Sequence, residues 1–199
     1  MVKLVNQTIF AAKIKEKKLA LFSSKDIRML FGVSKRAATM LLHRYAKNGF
    51  VVRAKRGLYA LGEFPPPQLF LANVLYGPSY ISCEFALSYH RIIPETAYEI
   101  TSITTKATRR FERFGKIFSY RKIHARAFTG YTVEQDRGYS FRIADPEKAF
   151  VDALYYRART NKEPLSRFAK EHIDRTRALQ YAELFQNKKL ISMIKQTLA

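Results

Sequence analysis

The chain has few of the residues that disulfide frameworks, membrane spans and acidic surfaces require. Cys83 is the single cysteine among 199 residues, which excludes an intramolecular disulfide and fits a reducing cytoplasm. No apolar run approaches the roughly 18 residues that a spanning helix needs. Residues 1–18 alternate apolar and basic positions, without the continuous apolar stretch of a secretory signal. We therefore expect a cytoplasmic protein with no membrane-spanning segment.

Acidic residues are also scarce. The chain carries 16 Asp and Glu against 36 Lys and Arg, a formal net charge of +20, while 47% of its residues are hydrophobic and can form a core. Such an excess of positive charge favours a polyanionic partner, either nucleic acid or an anionic membrane surface. A basic amphipathic helix at the N-terminus lying on lipid is the less favoured alternative.

Three successive prolines, Pro65-Pro66-Pro67, predict a stiff extended spacer and a domain boundary. We expect a DNA-binding domain at residues 1–63, a linker at 64–68 and a larger domain at 69–199. The first segment holds 14 Lys and Arg against 3 Asp and Glu, a net +11 on about a third of the chain. Positive charge is therefore concentrated before the prolines.

Helix start and stop signals follow one another in the first segment. A lysine-rich helix bracketed by Ile9, Ala12, Leu19 and Phe22 precedes a helix that Ser24 caps and Gly32 ends. Ser34 caps the next helix, which extends to about residue 47 and is capped by Asn48-Gly49. The inner positions of these two helices are Ile27, Leu30, Phe31, Ala38, Leu41, Leu42 and Tyr45. Residues 50–53 and 58–61 then form a hairpin, which completes a winged helix-turn-helix.

The second segment predicts a mixed arrangement of helices and strands. A helix is expected over 82–90, strands near 98–105 and 116–123, and a hairpin over 131–143 with its turn at 136–138. Asp145-Pro146-Glu147 predicts a strong helix start, and two or three amphipathic helices follow Pro164. The fold class is therefore α+β, with a winged helix-turn-helix domain followed by a larger mixed domain.

The winged helix pattern identifies candidate DNA contacts. A recognition helix places its N-terminal residues against base edges in the major groove, and basic wing residues reach phosphates or the minor groove. Arg36 is suited to guanine, and Thr39 to a thymine methyl group or a phosphate. The candidate DNA-binding residues are Lys25, Arg28, Ser34, Lys35, Arg36, Thr39, His43, Arg53, Lys55 and Arg56. Met40 and Lys47 extend the same helix face, and an ordinary solvated surface is the alternative.

Cations also alternate with aromatic residues over residues 104–114, as in proteins that bind RNA or single strands. The basic residues of this segment form a candidate second nucleic-acid or partner surface: Lys106, Arg109, Arg110 and Arg113. A solvated strand and turn explains the same pattern equally well.

Evidence for catalysis is weak, because no nucleotide-binding glycine loop or metal-ligand motif is present. The histidines are scattered at positions 43, 90, 124 and 172, and the acids that folding could bring together are Glu95, Glu99, Glu112, Glu147 and Asp152. Helix capping explains Asp145 and Glu147, and Cys83 is expected to be a small hydrophobic residue. We expect no enzyme activity, cofactor or metal.

Four strings together resemble a known family. The segment 24–61, ending in "RAKRGLYAL", resembles the N-terminal domain of AbiEi-type antitoxins of bacterial type IV toxin–antitoxin systems. The strings "YISCEFALSYHRIIPE" (80–95), "ITSITTKATRRFERFGKIFSYRKI" (100–123) and "IADPEKAFVDALYY" (143–156) resemble later segments of that family. The order and spacing of the strings make the resemblance more specific than any one of them.

The resemblance implies a role that composition does not. Such proteins are non-enzymatic repressors whose winged helix binds inverted repeats in their own promoter, here through a recognition helix at 34–47 and a wing at 51–61. Their C-terminal domain antagonises a nucleotidyltransferase-like toxin without a stable complex, which places the antitoxic surface within 80–156. A stand-alone regulator and an RNA-binding module without a toxin partner are the alternatives.

Overall fold

A computed structural model describes residues 5–199 as an α+β chain of two compact units, Met1–Gln68 (unit 1) and Leu69–Ala199 (unit 2). The expectation that residues 1–18 form no secretory signal rests partly on residues 1–4, which lie outside the described residues. The division between the units falls just after the proline segment at 65–67.

Unit 1 contains three helices followed by a two-stranded antiparallel hairpin. The helices are α1 (Gln7–Glu16), α2 (Ser24–Phe31) and α3 (Lys35–Lys47), and the strands are β1 (Val51–Lys55) and β2 (Leu58–Leu61). Gly57 turns the hairpin with a φ of 77°, a conformation that residues with a Cβ rarely adopt. Phe22, just before α2, exchanges two backbone hydrogen bonds of 2.9 Å with Tyr59 and so holds the outer edge of β2.

The sequence signals placed the ends of α2 and α3 well, with one error. Ser34 caps α3 by accepting a hydrogen bond from the Ala37 amide, and Gly32 ends α2 in the left-handed region, as predicted. The cap of α2 was predicted one residue too late. Ser23, not Ser24, accepts from the Asp26 amide, and the Asp26 carboxylate accepts from the Ser23 amide. This reciprocal pair satisfies two amide groups at once, which a Ser24 cap would not.

The lysine-rich helix was predicted between Ile9 and Phe22, but α1 ends at Glu16, and its buried apolar positions differ from those two residues. Phe10 and Ile14 are buried in the core, whereas Ile9 is 53% exposed and Ala12 is exposed as well. Both pairs have helical spacing, so the lysine-rich sequence allowed either face to point inward. Phe10 settles the choice because its ring packs within 6 Å of four other aromatic rings: Phe22, Phe31, Tyr45 and Phe50.

Unit 2 is built on a six-stranded mixed sheet with the strand order β5-β6-β4-β3-β8-β7. The strands are β3 (Ser79–Ile81), β4 (Glu99–Thr104), β5 (Arg109–Arg113), β6 (Lys116–Lys122), β7 (Tyr131–Asp136) and β8 (Tyr139–Ala144). β3 pairs with β8 and β4 pairs with β6 in parallel, and the other three pairings are antiparallel. The short strand β3 therefore joins the two halves of the sheet.

Five helices accompany this sheet: α4 (Gln68–Leu75), α5 (Cys83–Tyr89), α6 (Pro146–Arg159), α7 (Arg175–Glu183) and α8 (Lys188–Thr197). Asp145 caps α6 and Pro146 occupies its first turn, as predicted. Because α6 packs against α5, α7 and α8, ten of its fourteen residues are buried. It is the central helix of unit 2.

The reactivity of Cys83 can report whether unit 2 is folded. Its side chain is fully buried, and burial raises the pKa of the thiol well above its usual range. Since the thiolate is the reactive form, we expect a maleimide or disulfide reagent to leave the native chain unmodified and to label one thiol in guanidinium. Thiol titration with and without denaturant measures this. Rapid labelling of the native chain would contradict the burial of Cys83.

Candidate nucleic-acid interface

The exposed face of α3 is basic and lies opposite the buried stripe of Ala38, Leu42 and Tyr45. Residues spaced three, four and seven apart share a helix face. Arg36, Met40, His43 and Lys47 lie along this face with Thr39 at its border, and Lys35, three residues before the buried Ala38, is exposed in the first turn. No acidic residue occurs in α3, so this face carries only positive and neutral groups.

Like α8, which begins with Lys188 and Lys189, α3 has two cations and no acid in its first turn. Lys35 and Arg36 occupy this turn of α3, where the positive end of the helix dipole favours acidic side chains. By contrast, α2 has Asp26 and α6 has Glu147 in the first turn. Within residues 5–199 neither Lys35 nor Arg36 forms an ion pair. The start of α3 therefore combines unbonded amides, the helix dipole and two unneutralised cations, which together attract an anion.

Two of the predicted contact residues are partly occupied by the helix itself. The Ser34 hydroxyl accepts the capping hydrogen bond from Ala37, and the Thr39 hydroxyl donates to the Lys35 carbonyl at 2.9 Å. The Thr39 hydroxyl has used its one proton in this bond, so its oxygen can only accept. It therefore cannot donate a hydrogen bond to a phosphate oxygen. This geometry leaves Thr39 suited to apolar contact through its methyl group.

The hairpin presents its basic residues at its turn. Arg53 lies on β1, Lys55 ends β1 and Arg56 precedes Gly57, and all three cations are exposed. Between Arg53 and Lys55 the register of the hairpin shifts, and Ala54 is buried there. The irregularity turns Ala54 inward and leaves the cations on both sides of it at the surface.

Among residues 5–68, no acidic side chain forms an ion pair with Lys35, Arg36, Arg53 or Arg56. Asp26 is bound by Ser23 in the capping box, and Glu16 lies 3.6 Å from Lys17. Glu63 is exposed beyond the hairpin. Lys25 and Arg28, the predicted backbone contacts on α2, are exposed and unpaired within the described part of the chain.

Sequence reasoning missed Arg44 as a further cation of α3. The residue is exposed, and its guanidinium lies 5.4 Å from the ring centroid of Tyr45. The helical period could have predicted it, because Arg44 follows the outward-facing Met40 by four residues and therefore lies on the same face.

The structure divides the second predicted surface between the two faces of β5. Alternate residues of a strand point to opposite faces, so Arg109 and Arg113 lie on one face and Arg110 on the other. Arg110 is paired with Glu99 at 3.1 Å, and Lys106 donates to the Gly77 carbonyl at 2.6 Å. The ring of Phe111 packs against Tyr76 and Tyr120, so it does not offer an open face for base stacking.

The acids that catalysis would require are dispersed in unit 2. Glu147 lies 3.5 Å from Arg177, Glu112 is exposed on β5, and Glu95 lines a cleft of about 280 Å³. Asp145 caps α6 and also accepts from Arg177 and Tyr181, which ties α7 to the start of α6. Within residues 5–199, no three His, Cys, Asp or Glu side chains converge as a metal site would require.

Asp152 is the exception, because it is part of a fully buried polar cluster. Its carboxylate accepts from Ser82 at 2.7 Å and from Tyr80 at 2.9 Å, and it forms an ion pair with Lys148. The Lys148 ammonium also lies 4.7 Å from the ring centroid of Phe185. Burial raises the pKa of Asp152, and the positive charge of Lys148 opposes that shift. With no exposed surface on either charge, the cluster serves the core of unit 2 and not a substrate.

Comparison with known proteins yields no relative: no family model matches the chain, and no curated protein matches it significantly. Among the described residues, no helix has the length and apolar character needed to cross a membrane.

Proposed function

We propose that unit 1 is a winged helix-turn-helix that binds double-stranded DNA. α2 and α3 form the helix-turn-helix, α3 is the recognition helix in the major groove, and the β1–β2 hairpin is the wing. The observation that carries the proposal is the first turn of α3, where Lys35 and Arg36 are exposed and unneutralised at a helix end that favours acidic residues. α8 also begins with two cations, but α3 follows the capped helix α2 and leads directly into a hairpin with three exposed cations, Arg53, Lys55 and Arg56.

The contacts divide by chemistry. Arg36 and His43 face away from the buried stripe, where they reach base edges, and Arg36 can bind guanine through two hydrogen bonds. Arg53, Lys55 and Arg56 on the wing and Lys25 and Arg28 on α2 reach phosphates, which set position and affinity without reading sequence. Ser34 contributes through the cap that orients the first turn of α3.

The biological role follows from the resemblance to AbiEi-type antitoxins. On that basis the chain is a cytoplasmic repressor that binds inverted repeats upstream of its own gene. It is also the antitoxin that opposes a nucleotidyltransferase-like toxin, without a stable complex. Footprinting of the upstream region with the intact chain tests the repressor role, and a protected inverted repeat is expected. Uniform or absent protection would reject it.

The antitoxin role has a separate test. The chain is co-expressed with the product of the adjacent gene, and growth is measured. We expect rescue of growth both by the native chain and by a variant whose recognition helix no longer binds DNA, since the antagonism is placed in unit 2. A neighbouring gene without toxicity, or rescue lost with DNA binding, would contradict this division of roles.

The wing makes a quantitative prediction. Replacing Arg53 and Arg56 with Ala removes two phosphate contacts, so the slope of log affinity against log salt concentration should become shallower by about 2. Affinity should fall by a similar factor for every duplex sequence. Fluorescence anisotropy over a salt series measures both quantities.

The matched control for the wing is a Lys15→Gln/Lys17→Gln variant, which removes a lysine of α1 and the lysine at its C-cap. Net charge falls equally, but the salt slope should stay near that of the native chain. Equal changes in the two variants would show that only overall charge matters and would reject a contacting wing.

A further inference from the structure

A second candidate binding site lies in unit 2, where β6 and α6 both end. A cleft of about 570 Å³ opens there, within the range of about 300–1,000 Å³ that small-ligand sites occupy. Its lining residues are Thr108, Lys122, Ile123, His124, Tyr155 and Arg159. Sequence reasoning assigned none of these residues a function, because they come from three separate segments.

The charge of the cleft is one-sided. Lys122 and Arg159 are exposed at its rim, and none of the lining residues is acidic. Across residues 5–199 neither cation is paired with a carboxylate. Neighbouring arginines of the same sheet differ in this respect, since Arg110 lies 3.1 Å from Glu99 and Arg121 lies 3.7 Å from Glu84. Lys122 and Arg159 thus give this concave surface two exposed cations and no acidic group.

The backbone below these cations is fixed by hydrogen bonds. The Tyr156 hydroxyl donates to the Lys122 carbonyl at 2.6 Å, and the Lys122 amide donates to the Thr108 hydroxyl at 3.3 Å. The Ile123 amide donates to the Thr104 carbonyl at 2.9 Å. A ligand therefore meets a preformed floor, and binding need order only the long side chains of Lys122 and Arg159.

Phosphate fits this combination of groups best. A guanidinium binds a phosphate through two parallel hydrogen bonds, an ammonium adds a compact charge, and the hydroxyl and imidazole provide further polar contacts. A phosphate monoester carries close to two negative charges near neutral pH, which matches two cations better than a single carboxylate does. Arg159 also lies 5.6 Å from the ring centroid of Tyr155, which supports the flat face of its guanidinium.

We infer that this cleft binds the phosphate group of a nucleotide, either free or at the end of a nucleic-acid strand. Its concave shape admits a single phosphate or a chain end. This inference does not depend on duplex binding by unit 1.

Isothermal titration of the intact chain tests the inference with two pairs of probes. ATP is compared with adenosine, and a 5′-phosphorylated RNA trinucleotide with its 5′-hydroxyl form. The test variant is Lys122→Gln/Arg159→Gln. Its matched control is Lys116→Gln/Arg142→Gln, which removes the same two residue types from exposed positions of β6 and β8 that do not line the cleft. Protection of Cys83 from thiol reagents verifies that unit 2 is folded in each variant.

We expect ATP, the 5′-phosphorylated trinucleotide or both to bind, and adenosine and the 5′-hydroxyl trinucleotide, which lack the terminal phosphate, not to bind. The cleft variant should weaken that binding by about tenfold or more, as expected for lost charge-assisted hydrogen bonds, and the control variant by less than about twofold. Binding of ATP alone identifies a free nucleotide as the source, and binding of the phosphorylated trinucleotide alone identifies a strand end. Absence of binding by both phosphate probes, or equal weakening in both variants, would overturn the inference.

Discussion

Replacing Arg36 with Glu should lower the affinity for operator DNA by about 10- to 100-fold and leave unit 1 as stable as before, or more stable. The loss of affinity follows from removing a contact worth about 1–3 kcal/mol and placing a negative charge against phosphates. The gain in stability follows from the helix dipole, which favours an acid in the first turn of α3 by about 0.3–1 kcal/mol. DNA affinity by anisotropy and thermal unfolding of the same samples measure the two effects.

A loss of DNA affinity together with unchanged or higher stability would identify Arg36 as a binding residue and not a structural one. The control is Lys15→Glu on α1, which reverses the same charge away from the recognition helix. We expect it to reduce DNA affinity far less than Arg36→Glu does. If Arg36→Glu destabilised unit 1 and left affinity unchanged, the first turn of α3 would have a structural role and the proposed interface would be wrong.

Truncating the buried carboxylate in Asp152→Ala should destabilise unit 2 by about 3–5 kcal/mol. The substitution leaves Lys148 as a buried charge without its partner and removes the acceptor of Ser82 and Tyr80. Replacing both charges in Lys148→Met/Asp152→Leu should restore most of the loss, because two apolar side chains of similar volume need no compensating charge.

Cys83 makes this measurement specific to unit 2. As the only cysteine of the chain, it becomes reactive only when unit 2 opens, so thiol labelling across a urea series reports the unfolding of that unit alone. A double variant as unstable as Asp152→Ala would show that the cluster contributes more than charge compensation. A stable Asp152→Ala variant would contradict the buried ion pair itself.

Local signals explain why most of unit 1 could be predicted. Ser34, Gly32 and Gly57 act on their immediate neighbours, so their effects can be inferred from a few residues of sequence. The error in α1 has a different origin. Its lysines and apolar residues permit two inward faces, and the choice depends on rings contributed by α2, α3 and the segment after α3.

Unit 2 was less predictable because its strands depend on distant partners. The hairpin of β7 and β8 was identified from its turn, β5 was covered by one of two alternatives for residues 104–114, and β3 was not predicted. β3 has only three residues, and it is a strand because β4 and β8 flank it. The Asp152 cluster shows the same limit: Lys148 and Asp152 are four residues apart on α6, but Tyr80 and Ser82 reach them from about 70 positions away.

The candidate sites follow this division. The basic residues of α3 and the hairpin lie close together in the sequence, within residues 35–56. The signals that predict these elements also predict which of their side chains are exposed. The cleft of unit 2 joins Thr108, Lys122 and Arg159 through the pairing of β5 with β6 and the packing of α6. No short pattern could indicate it, so it emerges only from the fold.

The most direct test of DNA binding is the affinity of the intact chain for a duplex from the region upstream of its gene, measured between 50 and 200 mM salt. If six or more phosphates are contacted, affinity should fall by about 10³-fold or more over this range, and the upstream duplex should bind more tightly than an unrelated one at every salt concentration. Affinity that is insensitive to salt, or absent for both duplexes, would contradict the assignment of unit 1 as a DNA-binding domain.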